Sequence, residues 1–433
     1  MADAKDAVLA AIDVDHVVAL TQDLVRIPSV NPKFEVKQGF NREADVQARI
    51  AEELSDFELD QWEVFPDRPN ITADLPGTDD KSMILCGHVD VVPVGDANAW
   101  DRNPFSGDLA DNRIWGRGAV DMKSGVAACI AAARAIRKAG VELEGRLSIH
   151  TVVDEEAGGF GAMDAVAKGK LAKHAIIAEP TWRDVIAAEG GLSWVKVTIF
   201  GKQAHAGWRF NSIWPQHDTP ERLEPGVNAI ELAARFISAL RDFEASRCRL
   251  HNHPLMPPGL ATINPGTIQG GAGMGEDGNP AVMTNAAMIS DVATMVLDYK
   301  FMPDEDFADV KAEFEAFVAH FAGMDPWMRD HPPKIEWNLW GLYFPPMNTP
   351  VDHPLAQSVL SNATAIQARP PQVKGFEAVT DAAHYAGRGV VPIIYGPTGD
   401  GFHGDNECVE VDSLVEATKV IAATVVDMCG VRS

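Results

Sequence analysis

Five places in the chain carry side chains able to ligate a divalent cation and to run acid–base chemistry beside it. They are His88 with Asp90 in an H-x-D arrangement, Asp121 after Gly116-Arg117-Gly118, the pair Glu155-Glu156, Glu179 before Pro180, and His403 in Gly401-Phe402-His403-Gly404. Imidazole and carboxylate suit zinc, cobalt or manganese, and ligand type alone does not choose among them. Two imidazoles and three carboxylates suffice for two ions if one carboxylate bridges. Two ions about 3.5–4 Å apart can polarise a carbonyl and activate a water together. Adjacent Glu155 and Glu156 cannot easily ligate one ion, so one can ligate while its neighbour faces substrate as a base. Asp90, two residues after His88, is placed to orient the imidazole as a supporting carboxylate. Each place also has a plainer reading: Glu155-Glu156 as a solvated turn, Glu179 as a turn acid, His403 as an idle loop residue.

The elements that must bring these residues together follow from the hydrophobic pattern. Apolar runs at Met83-Cys86, Arg146-Val153, Ala175-Ala178 and Ile393-Tyr395 read as buried strands, each delivering a candidate ligand just past its end. Helical patterns cover 5–26, 42–55, 123–139, 162–168, 353–367 and 412–428. Alternating strands and helices predict an α/β domain with a mostly parallel sheet and helices on both faces, whose ligands collect at the carboxyl edge. Near Gly190 the pattern changes. WVKVTIF alternates strictly, and the order β-α-β-β-α-β predicts a smaller α+β lid or dimerisation domain inserted at 192–343, with 1–191 and 344–433 as the catalytic domain. The stretch GGAGMGEDGNP is expected as a plain link between two of its strands.

Composition limits the partners. The chain has 433 residues, 62 acidic against 37 basic, and a net charge of −25, so neither nucleic acid nor an anionic membrane is expected to bind it. No apolar run reaches the length of a membrane span. The five cysteines lack C-x-x-C spacing, and the acidic start is unlike a signal peptide; both fit a cytoplasmic protein acting on a small molecule.

The ordered motifs GHVDVVP, GRGAVDMKSG, DEEAGGFGA, AEP and GFHGDNE span nearly the whole chain and resemble the M20 metallopeptidase family, which includes acetylornithine deacetylase, succinyl-diaminopimelate desuccinylase, aminoacylase and glutamate carboxypeptidase. The resemblance implies one or two divalent ions per subunit, zinc foremost with manganese or cobalt as alternatives. It implies that Asp121 bridges, that His88 and Glu179 complete one site, and that Glu156 and His403 complete the other. Glu155 would be the general base, passing a proton from the attacking water to the leaving amine, with Asp90 orienting. It further implies a homodimer through the inserted domain, in which His205 of GKQAHAG reaches the partner's active site and steadies the oxyanion.

Three departures bear on substrate. Where many members carry an Arg in a D-x-R strand, this chain has Asp298-Tyr299-Lys300, so Lys300 would pair a substrate carboxylate without the bidentate fork. The family's Asn-Val-Ile/Val-Pro segment is not recognisable, and Asn285 lies out of register. The stretch after His205 is long and carries Trp208, Arg209, Phe210, Trp214 and His217, either lining a pocket for an aromatic substrate or packing a dimer interface; Arg209 is the candidate for a substrate carboxylate. The expected activity is hydrolysis of a C–N bond by an amide deacylase or deformylase. The alternatives are a hydrolytic deaminase of an activated aromatic amine, an exopeptidase, and a catalytically silent metal-binding scaffold.

Overall fold

The computed structural model describes residues 2–432 except 215–224, and these form two compact units, Met1–Glu189 with Met347–Ser433, and Gly190–Pro346. In the first, Ile84, Leu85 and Cys86 are wholly buried because the strand Thr78–His88 lies mid-sheet with helices on both faces, as a continuous apolar run requires. Gly145–Val152, Thr78–His88, His174–Ile177 and Val391–Ile394 run parallel in that order. Antiparallel strands flank this centre: Arg68–Leu75 and Glu58–Phe65 on one side, Val185–Glu189 and Met347–Asn348 on the other. Val373–Phe376 also pairs in parallel with Val185–Glu189 near that edge, but the four parallel strands in the middle are the ones the site requires. His88 pairs with Val152 and Cys86 with Ile177, so three parallel strands end level at one edge.

The helix Ser124–Lys138 packs against this centre, and Gly125 shows how closely. A Cβ there would stand 2.0 Å from the carbonyl oxygen of Ala178, so only glycine lets the helix approach the strand end. At the start of the chain the single helix expected over 5–26 is two, Ala2–Ala11 and Val14–Val25. Asp13 breaks the run by accepting a hydrogen bond from the His16 N–H as an N-cap, a role that helical periodicity does not reveal.

The second unit is an antiparallel sheet ordered Pro280–Val282, Ile263–Met274, Val292–Phe301, Gly191–Phe200, Lys334–Glu336. The helices Ala229–Leu250 and Phe307–Gly323 cover one face of it. Val197, Ile199, Phe236, Leu240, Met295 and Phe314 meet in the core between them. The glycine-rich GGAGMGEDGNP is not a plain link. It extends one strand to Met274 and folds back as a hairpin, with Gly278 at φ +72° in the turn. The strand Lys334–Glu336 is short, because Asn338 and Trp340 just beyond it both take left-handed backbone. Among the described residues no helix is long and apolar enough to cross a membrane.

Candidate metal centre

All five places converge. His88 ends its strand with Nε2 3.1 Å from one oxygen of Asp121, and His403 Nε2 lies 2.8 Å from the other. Glu179 stands 3.6 Å from His88 Nε2, and Glu156 3.2 Å from His403 Nε2. Two donor sets result, His88–Asp121–Glu179 and Asp121–Glu156–His403, each with its ligand atoms within 4.8 Å of one another. Ligands about 2 Å from a common zinc stand roughly 3–3.5 Å apart, and these separations lie near that range. Glu155 is 3.8 Å from His88 Nε2 yet belongs to neither set.

The supporting contacts explain how chain segments far apart in sequence hold this geometry. His88 Nδ1 is 2.9 Å from the backbone carbonyl of Asp90, so that carbonyl, with the imidazole N–H donating, fixes which ring nitrogen is left free. The Asp90 carboxylate is 3.7 Å from the same nitrogen and does something else. It accepts from the backbone N–H of Glu155 at 3.1 Å and of Glu156 at 3.2 Å, and from Asn31 Nδ2 at 2.8 Å. The expectation that the Asp90 side chain orients His88 is therefore corrected: the backbone of Asp90 orients the ligand, and its side chain holds the Glu155-Glu156 turn. Asp154, left-handed at φ +68°, is buried beneath this turn and paired with Arg68 at 2.8 Å and Lys33 at 2.5 Å. Asp121 is held by Glu407, whose carboxylate accepts from the N–H groups of Gly118, Val120 and Asp121 at 3.0–3.1 Å. Arg117 completes the clamp, binding Glu407 at 2.5 Å and the carbonyl of Gly404 beside His403 at 3.0 Å.

The electrostatics suit cations. Burial, reinforced by crowding from neighbouring carboxylates, pushes Glu155 and Glu179 well above the ordinary carboxylate range against the pull of His88. Burial and the Asp121 charge raise Glu156 to about 7. Burial also raises Asp381 to about 7, and neither of its carboxylate oxygens has a hydrogen-bond partner. Burial works against charge on Asp121 too, but hydrogen bonds from His403 and His88 hold it below the usual range. Those to Asp121 and Glu156 raise His403 to about 10. Protons retained on this scale in a buried acidic cluster are what divalent ions would displace, so the donor chemistry fits one or two such ions.

The remaining sequence candidates lie in the second unit. His205 is exposed, its Nδ1 accepting from Gly207 N–H at 3.0 Å, and its ring lies 5.6 Å from that of Trp208. Arg209 is exposed and paired with Glu231. Lys300 is half-buried within the strand Val292–Phe301. His217 lies outside the described residues. The sequence reading missed Asn31 and Glu407 as supports, the buried carboxyl of Asp381, and Trp182 and Phe402 near the ligands. Glu407 closes the quoted GFHGDNE motif, so its place beside His403 was the one available signal.

Known proteins resemble this chain over most of its length. The model of peptidase family M20/M25/M40 matches residues 84–427. The N-formyl-4-amino-5-aminomethyl-2-methylpyrimidine deformylase of Bacillus subtilis is 31% identical over 399 residues, 89% of each chain. The protein of the same name from Halalkalibacterium halodurans is 29% identical over 432 residues, 96% of this chain and 95% of its own. Among solved structures, an aminopeptidase of Bacillus cereus superposes with a TM-score of 0.70 at 20% identity, covering 96% of this chain and 99% of its own, a likeness of fold.

Proposed function

The chain belongs to peptidase family M20/M25/M40 and is a metal-dependent hydrolase of C–N bonds; from that premise we propose that it is a deformylase of an amine borne on a heteroaromatic ring. Water and the formamide R–NH–CHO give formate and R–NH3+. The substrate class is supported by the two deformylases that match nearly end to end. The observation that carries the chemistry is Glu155, 3.8 Å from His88 Nε2 yet a member of neither donor set.

In this reading His88, Asp121 and Glu179 would hold one ion, and Asp121, Glu156 and His403 would hold a second. Zinc is the favoured metal, with cobalt or manganese as alternatives. Bound ions supply Lewis acidity, polarising the formyl oxygen and acidifying water. Glu155 takes the proton from the attacking water and delivers it to the leaving nitrogen. The Asp90 carboxylate keeps Glu155 aimed through the two backbone N–H groups. His205 of a partner subunit steadies the developing oxyanion, with the second unit as lid and dimer contact. Trp208 is a proposed substrate contact. Arg209 and Lys300 would serve a substrate carboxylate, Arg209 by giving up Glu231. Five free cysteines, four of them buried, suit the reducing cytoplasm, where we place the protein.

The test is product analysis. Metal-loaded protein is given the N-formyl derivative of 4-amino-5-aminomethyl-2-methylpyrimidine, and formate, free amine and ammonia are quantified. Equimolar formate and amine support the reading. Ammonia without formate overturns it in favour of the hydrolytic deaminase.

A further inference from the structure

The ligands differ in how far they are open to solvent. His88 is 1% exposed and Glu179 4%, whereas the side chain of His403 is 48% exposed, so the accessible flank of the centre is at His403. The side chains beside it are aromatic. The ring of Phe402 lies 5.3 Å from that of His403 with planes 18° apart, and Trp182 lies 6.0 Å from Phe402 at 31°. Trp182 is 47% exposed and Phe402 37%, while buried Phe376 backs Trp182 at 6.5 Å. Two large rings left in solvent beside metal ligands are not part of any core.

The backbone that presents Trp182 is costly and well fixed. Trp182 and Arg183 both adopt left-handed conformations, at φ +51° and +68°, rare for bulky side chains and tolerated where surrounding contacts enforce them. Those contacts are present. Arg369 donates to the Trp182 carbonyl at 2.5 Å and pairs with buried Asp184 at 2.8 Å. Thr181 is tied through its N–H to the Pro397 carbonyl, and Arg183 to Glu410 and Glu416 at 3.2 Å each. A turn three residues past the ligand Glu179 is thus held in an unfavourable conformation that sets an indole beside Phe402, whose ring in turn lies against the open ligand His403.

We propose that Trp182 and Phe402 form an aromatic ledge that binds the heteroaromatic ring of the substrate, and so select aromatic over aliphatic formamides. The inference rests on the deformylase reading for the identity of the ring and on geometry for the ledge. A flat, electron-poor ring stacks on indole and phenyl faces, and such stacking discriminates against a saturated ring of the same size.

Calorimetry on the metal-loaded protein tests this with two probes, the aminopyrimidine product and cyclohexylmethylamine. The wild type should prefer the aromatic amine by about tenfold or more. Trp182→Ala and Phe402→Ala should reduce that preference to within about twofold while metal content stays at the wild-type level, and Trp182→Phe should restore most of it. A preference that survives both alanine variants, or is absent in the wild type, overturns the ledge. Formate release from the N-formyl compound is scored separately. No formate with the ring preference intact defeats the deformylase reading alone, and formate without ring preference defeats the ledge alone.

Discussion

The two donor sets share Asp121 and differ in almost everything around it. His88 ends a central strand, buried, with its far nitrogen tied to the Asp90 carbonyl. His403 sits in a loop at φ +54°, half exposed, with its Nε2 facing the carboxylates of Asp121 and Glu156. The first set is built by the sheet and the second by a loop that Glu407 and Arg117 fasten to the Asp121 segment. Under the proposed function the difference implies a division of labour, in which the buried half would secure an ion and the open half would admit substrate.

That division can be broken in graded ways. Asp121→Ala should have the largest effect, removing metal from both halves and reducing turnover to that of chelator-treated protein; retention of one tightly bound equivalent would show that Asp121 is not shared. His88→Ala and His403→Ala should separate the halves. His403→Ala should keep one tight metal equivalent by elemental analysis, with little change in melting temperature, because its side chain is half exposed. His88→Ala should lose the tight equivalent and melt lower, because it empties a wholly buried position. Equal behaviour of the two variants would erase the contrast. Glu407→Ala strands buried Arg117 and three N–H groups, and urea unfolding should show about 3–5 kcal/mol lost, the cost of breaking a buried pair. Asn31→Ala loosens the hold on Asp90 and on Asp154 beneath the same turn, so kcat should fall about 10–100-fold with metal content unchanged. The smallest effect is expected of Arg209→Ala. Its pair with Glu231 is exposed and worth at most about 1 kcal/mol, so the KM for a formamide lacking a carboxylate should rise by less than about fivefold.

The fold was legible in the sequence because its central strands are apolar enough to recognise, and the proposed ligands His88, Glu156 and Glu179 stand at or just past the ends of three of them, whereas Asp121 follows no such strand. Adjacency indicated that one of Glu155 and Glu156 could ligate while the other served as base, and the family resemblance assigned the base to Glu155. What the sequence hid was the support. Asn31 lies 59 positions from Asp90 and Glu407 286 from Asp121, and no local pattern links a hydrogen-bond donor to an acceptor at such distance. Asp90 shows the same limit at short range. Spacing placed it behind His88, but only the fold distinguishes its carbonyl, which orients the imidazole, from its carboxylate, which caps the Glu155-Glu156 turn. Aromatic content drew attention to the loop after His205, while Trp182 was hidden in TWR, where only its backbone conformation marks it.

The central claim is that Glu155 moves the proton and binds no metal. Replacing it by glutamine keeps the size and the hydrogen bonding of the side chain and removes its basicity. Glu155→Gln, assayed for formate release and for bound metal on the same sample, should lose about 10²–10⁴-fold in kcat with its metal content intact. Undiminished turnover, or metal lost in step with activity, would contradict the account.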